Sequence, residues 1–531
     1  MAIIPDECKF HVVSEGVDTV DRGSKLAQSK RESITMADIK QSIPTPVGIF
    51  ERSTGECSIV PVAGNNTVET KCGTISGGYG NDILQTGTDY CYGSNVISGG
   101  AKNCITSLNC AQSYNSTISG GYQNYVQAIG TAILGETGCT VGSVVSGGKL
   151  NKIISECEIA NYNVIGGGLE NIIKAATNTS RVCGSTIGGG YDNYICSTYS
   201  TIAGGRSNLI ESCASSGSIG GGACNYICTD AGLGSNDYST ISGGGCNLIC
   251  GDYTSNSTIG GGYYNYICGP QTTNSTISGG YANSIFGDYS CNSTIGGGYY
   301  NYIYGAKTFN STISGGYCNY IYGNESTHTT ISGGYYNKIY GDASYSSTIG
   351  GGYCNRIFGD ASNTNVIGGG ADNRLYGGYT ASAVIAGGCA NCISGDLSYH
   401  TLIGGGYSNQ ICGNYAPRNI IVGGSDNRID NGNTSVIGGG RYNQINGGYH
   451  SGIMSGKCNV INGGYASVQT ILGGYNNTNG SYESHVIGSN ITTDRVCTAF
   501  VNNLSIKSIP TAATGLPAGA VWNNAGVLNI V

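Results

Sequence analysis

Residues 257–287 read STIGGGYYNYICGPQTTNSTISGGYANSIFG, one phrase begun twice. Ile259 and Ile277 stand 18 residues apart, and eleven isoleucines from Ile241 to Ile421 keep that interval without a break. Each is followed by one small or apolar residue and then Gly-Gly. A catalytic site needs a few side chains in one place, whereas a stack of equivalent turns of chain needs this regularity.

Counting from each anchor isoleucine as position 0, the unit also runs outside the regular stretch with looser spacing. It starts at Ile75, ends at Ile487, and repeats 23 times. Asparagine stands at +6 in 22 of these units, with a second apolar residue at +8 in nearly all. Positions −1 to +1 read as a short strand, Gly-Gly at +2 and +3 as a corner, and +6 to +8 as a second strand. Asn +6 and the apolar +8 share one face because strand side chains alternate. Glycine at +10 turns the chain back. The expected fold is all-β: a parallel β-solenoid, or β-roll, whose 18-residue rungs hold two strands and two turns. Its core is read as Ile259, Asn265 and Ile267, then Ile277, Asn283 and Ile285, then Ile295, Asn301 and Ile303, with the asparagines forming an amide ladder.

The composition agrees. Ninety-two glycines against 8 prolines, without a period of three, exclude collagen, and strictly placed isoleucines with 10% charged residues exclude simple disorder. A net charge of −7 with no run of lysine and arginine argues against nucleic acid. The first residues lack the basic and apolar regions of a secretory signal, and no apolar run approaches the ~20 residues of a membrane span, so synthesis in a cytoplasm without membrane insertion is expected. The 24 cysteines mostly take positions that tyrosine or phenylalanine holds in other units. They read as reduced, packed side chains, although Cys228, Cys250 and Cys268 on stacked rungs would lie about 4.8 Å apart, within pairing reach.

Three segments follow. Residues 1–70 do not repeat and form an N-terminal attachment module, with a short helix expected at Thr35–Lys40, capped by Thr35 with Asp38 three residues on. Residues 71–491 form the repeat shaft. Residues 492–531 hold the only tryptophan, Trp522, and two apolar strands around a turn, read as a capping hairpin or tip.

Two isoleucines per lap are a thin core for 18 ordered residues. The +1 position is almost always tiny (Gly260, Ser278, Gly296, Ser314), which suits close backbone approach, so this face is expected to pack against other copies of the chain as a homotrimer. Outward aromatic columns stand at +4 (Tyr263, Tyr281, Tyr299, Tyr317, Tyr335, Tyr353) and at +9 (Phe286, Tyr304, Tyr322, Tyr340, Phe358, Tyr376). The +9 column reads either as packing or as a ladder that binds glycans on a cell surface.

No enzyme is expected. Calcium-binding nonapeptide repeats share the 18-residue lap, but position +11 reads Asp252, Pro270, Asp288, Ala306, Asn324, an incomplete ligand set. The histidines His11, His328, His400, His450 and His485 are scattered, and the glycine triplets lack the Lys-Ser/Thr of a phosphate loop. No cofactor is implied.

The phrase at Ser257–Gly269 and Ser347–Asp360 resembles the glycine-rich β-rolls of viral fibres and trimeric autotransporter adhesin heads. The opening (Thr19-Val20-Asp21-Arg22-Gly23-Ser24, Ile34-Thr35-Met36-Ala37-Asp38-Ile39) and the ending (Gly515-Leu516-Pro517-Ala518-Gly519-Ala520-Val521-Trp522-Asn523) look like the ends of fibre proteins of marine tailed phages and large aquatic viruses. The resemblance implies a virion fibre, a tail or capsid fibre that joins other virion proteins through its N-terminal module and contacts a host glycan or protein. A carbohydrate-binding adhesin or assembly fibre unrelated to virions is the alternative. The unit is longer than the adhesin repeat, and no counterpart of the adhesins' membrane anchor is expected, which argues against a bacterial outer-membrane adhesin.

Overall fold

The computed structural model describes residues 10–12, 32–34, 50–52, 57–86, 94–108, 112–129, 139–156, 160–175, 182–229, 235–361, 363–464, 468–505 and 507–531. The helix expected at Thr35–Lys40 lies outside them. Every regular element among them is a strand. The chain divides after Cys318 into two compact units.

In the first unit, the anchor dipeptides stack as one parallel ladder and the +7 to +9 segments as a second. Thr258 and Ile259 pair with Thr276 and Ile277, while Tyr266 and Ile267 pair with Ser284 and Ile285. Like residues therefore lie on like residues, and a one-residue slip would turn every inward isoleucine to solvent. A third line of contact, absent from the two-strand, two-turn expectation, runs through +4, where Tyr263, Tyr281, Tyr299 and Tyr317 form successive parallel bridges.

The corners are sharper and more numerous than the glycines alone suggest. Gly262 has φ +87°, and a Cβ there would overlap the carbonyl oxygen of Gly280 on the next lap. Non-glycine residues also take the left-handed region on every regular lap, as at Tyr264 (φ 57°), Gln271 (57°) and Asn274 (54°). Each turns its N–H to the lap before, donating to the carbonyls of Gly245 at 3.0 Å, Asp252 at 2.8 Å and Ser255 at 3.0 Å. An inter-lap hydrogen bond accompanies each of these three residues in the unfavourable region.

The interior holds Ile259, Ile267, Ile277, Ile285, Ile295 and Ile303 with Asn265, Asn283 and Asn301, all fully buried. It also holds two polar columns that the sequence reading left out, at +13 (Thr254, Thr272, Ser290, Thr308) and +16 (Ser257, Ser275, Ser293, Ser311), equally buried. Their hydroxyls donate to carbonyls one lap on: Ser257 Oγ to Thr272 O at 3.1 Å, and Thr272 Oγ1 to Gly287 O at 2.8 Å. Buried hydroxyls with partners need no desolvation offset elsewhere, so a thin apolar core suffices.

The ladder begins one lap before Ile75. Ile59 pairs with Thr74 and Val68 with Ile83, Val60 and Val68 are buried, and Asn66 Oδ1 accepts from Asn81 N at 2.9 Å. Phe50–Arg52 lies antiparallel to Ile59–Pro61 and covers that edge of the first ladder. Phe10–Val12 and Glu32–Ile34 form a separate antiparallel pair.

The second unit, from Asn319, repeats both ladders. At its far end the register departs from the sequence reading: Val486 pairs with Ile471 and is buried, whereas Ile487, read as the last anchor, is exposed. Ala499–Val501 then pairs in parallel with His485–Ile487, so part of the tail extends the ladder. Val521–Asn524 and Val527–Ile530 form an antiparallel hairpin with Leu528 and Ile530 exposed.

Candidate functional site

Chemistry here is set by columns, because a side chain on one lap stands above its counterpart on the next. At +4, Tyr281 and Tyr299 stack at 4.8 Å between centroids and 11° between planes, and Tyr299 and Tyr317 at 5.1 Å and 6°. At +9, Phe286 stacks on Tyr304 in the first unit at 5.3 Å and 8°. In the second unit Tyr322, Tyr340, Phe358 and Tyr376 continue at 4.6, 5.3 and 5.3 Å. Rings this close and this parallel turn their faces to one another. What a ligand meets is chiefly ring edges and phenol hydroxyls, and edges carry the positive end of the ring quadrupole.

Position +7 points outward beside +9, and its content differs between the units. In the first it includes Tyr266, Ser284 and Tyr302; in the second, Lys338, Arg356 and Arg374 stand on three consecutive laps in direct register. Nothing in the sequence reading singled them out, although their place at the +7 interval was there to find.

The +11 aspartates serve the turns. Asp342 Oδ1 accepts from Asn324 N at 2.9 Å and Asp396 Oδ1 from Gly378 N at 2.7 Å, so each carboxylate holds a backbone amide of the preceding lap. Among the described residues no group of three His, Cys, Asp or Glu side chains is arranged to hold a metal ion.

The cysteines divide. Cys250 and Cys268, in register at +9 with Cα atoms 4.6 Å apart, are joined as a disulfide. Burial pushes the Cys104 and Cys196 thiols up to about 12, helped by the charges of Asp82 and Glu211 respectively. Cys196 and Glu211 share a shallow groove with Asp192 and Tyr226. Burial also raises the Glu211 carboxyl, against a backbone hydrogen bond at Thr229 that lowers it. A protonated thiol is a poor nucleophile, and no histidine lines this groove.

No protein-family model matches the chain, and no curated protein resembles it in sequence.

Two further features stand in the second unit. Where the lap shortens from 18 to 16 residues after Ile421, a cleft opens between longer and shorter laps, lined by Tyr399, Tyr415, Asn433 and Tyr449 over Gly448 and Gly464. The +1 column also changes character. It is tiny through most of the chain, and glycine there has an intrachain cause, since a Cβ at Gly260 or Gly296 would overlap the carbonyl oxygen of Ser278 or Ser314. The glycines of this face thus have a cause within the chain. Near the end of the second unit, however, +1 carries large apolar side chains on either side of Gly438: Val422 is 56% exposed on the lap before it, and Met454 at 44% and Leu472 at 50% follow it, with Ile487 at 47% in the same outward line.

Proposed function

We propose that this protein is a structural fibre subunit of a virion, a tail or capsid fibre, that assembles as a homotrimer and attaches to a host surface through its outward columns. The observation that carries the reading is the columnar side-chain order itself: an 18-residue lap repeated with fixed interior and variable exterior serves length and multivalent contact rather than one reaction. Support for self-association comes from Met454, Leu472 and Ile487, half-exposed apolar side chains on three consecutive laps of one sheet face, with Val422 two laps before them, a patch of the kind that marks an interaction surface. The trimer is assigned to this stretch rather than to the small residues at +1.

The test is direct. Light scattering and chemical cross-linking of the full chain should give a trimer that Met454→Lys with Leu472→Lys dissociates, and negative-stain images should show elongated particles. A monomer under all conditions removes the assembly. Antibodies against the full chain should decorate the surface of the particle that encodes it; labelling of a cell surface instead favours the second reading, a carbohydrate-binding adhesin, which the tyrosine-lined cleft at Tyr399, Tyr415 and Tyr449 supports.

A further inference from the structure

We infer that Lys338, Arg356 and Arg374, with the ring edges of Tyr340, Phe358 and Tyr376 beside them, form a binding strip for an acidic polysaccharide. Three cations in direct register on neighbouring parallel strands, at a pitch of about 4.8 Å, repel one another, and a fold gains nothing from such a row by itself. The ion pairs described in this unit lie elsewhere, at Arg428–Asp430, Arg441–Asp426 and Arg495–Asp494. The Lys338 ammonium rests 4.8 Å over the Tyr320 ring, and the Nε of Arg356 is buried without a hydrogen-bond partner.

The neighbouring column points the same way. Tyr340, Phe358 and Tyr376 present positive ring edges and two phenol hydroxyls along the same three laps, so the strip is a two-residue-wide band of donors and positive potential. It suits carboxylates or sulfates repeated along an extended chain. Arginine is the better partner of such planar oxyanions, and two of the three cations are arginine. Nucleic acid fits less well: the phosphates of a duplex rise about 3.4 Å per residue along each strand, out of step with the laps. This inference rests on the reading of the outward columns as the contact surface of the fibre.

The experiment measures binding of the full-length protein to immobilised dextran sulfate, polygalacturonate, neutral dextran and oligothymidylate. The expected result is retention on the two acidic polymers, weakening as salt rises, with little on dextran. Lys338→Gln/Arg356→Gln/Arg374→Gln should lose at least tenfold in affinity, and Arg418→Gln, an exposed arginine off the strip, should lose none. Should the triple variant melt early, Arg374→Gln alone, at an exposed position, should still cost about threefold. The inference is overturned if the triple variant binds as wild type, if dextran binds equally well, if oligothymidylate binds more tightly than the polysaccharides, or if the substitutions change only the oligomeric state. Attachment to host cells that survives the triple substitution would remove this strip and leave the fibre reading standing. Polymer binding without any cell attachment would do the reverse.

Discussion

Asn265 is tied to Asn247 twice over: its backbone amide and its Nδ2 both donate to Asn247 Oδ1, at 3.0 and 3.1 Å. The same Nδ2 reaches the carbonyls of Gly261 on its own lap at 2.9 Å and Gly280 on the next at 3.1 Å. One carboxamide thereby joins three laps and pins the Gly-Gly corner. No other side chain of this size offers both an acceptor and a two-hydrogen donor, which is why asparagine recurs at +6.

Replacing Asn265 by alanine should cost about 1–3 kcal/mol, because buried carbonyls lose their donor. Asn265→Asp should cost more near neutrality, since a carboxylate would face those same carbonyl oxygens. Its folded pKa is then raised, and stability should return as the pH falls and the carboxyl protonates. Hydrogen exchange should localise both losses to the laps around residues 241–295; a global change of equal size at distant laps would count against a nearest-neighbour stack.

Adjacent glycines separate geometry from composition. Gly388 has φ +86°, and a Cβ there would overlap the Gly406 carbonyl oxygen and come within 2.7 Å of Asn391 Nδ2, whereas a Cβ on Gly387 meets nothing within 4 Å. Gly387→Ala should stay within about 0.5 kcal/mol of wild type, and Gly388→Ala should lose about 3 kcal/mol or more. Thermal melting of the pair checks this, and equal effects would contradict the corner described above.

Much of the lap was legible because its signals are local. Ile259, Asn265 and Ile267 announce their burial by period, and burial at those positions follows from strand alternation. The hydroxyls of Thr272 and Ser275 were not legible, since a threonine or serine in a turn reads as a solvent-facing residue until the stack places a carbonyl above it. Tyr264 in the left-handed region was hidden for the same reason: the partner of its N–H is 19 residues away, at Gly245. Of the surface, the aromatic columns stood out by residue type. The cationic row at Lys338, Arg356 and Arg374 did not, because its meaning lies in register between laps.

Glu211 gives the stack a pH dependence of known sign. Burial raises its carboxyl above the ordinary 4.5, so the folded state holds this proton more tightly than the unfolded chain. Stability is then favoured on the acid side and falls as pH rises through the window between the ordinary value and the raised folded one. Glu211→Gln should be neutral or stabilising at pH 7 and should flatten that part of the profile. Melting temperatures of both proteins between pH 4 and pH 7 measure it, and a variant that loses stability at pH 7 would show that the carboxylate makes a contact worth more than its desolvation.

Thiol labelling distinguishes the environments of the cysteines. Cys213 is exposed, while Cys104 and Cys196 sit against the laps with thiols pushed up to about 12, and Cys392 to about 11, in each case chiefly by burial. Iodoacetamide reacts with the thiolate, so in the folded protein at pH 8 Cys213 should label first and the other three should lag. Between pH 8 and pH 10 the lagging rates should keep rising about tenfold per pH unit, because a group titrating near 12 is still far from saturation, whereas an ordinary thiol levels off near its value of about 8.5. Cys250 and Cys268 should label only after reduction. Peptide mapping reads every site at once. Urea should bring the labelling rates of Cys104, Cys196 and Cys392 together with that of Cys213, since their lag arises from burial in the folded laps; rates that remain apart after unfolding would place the cause in the local sequence instead.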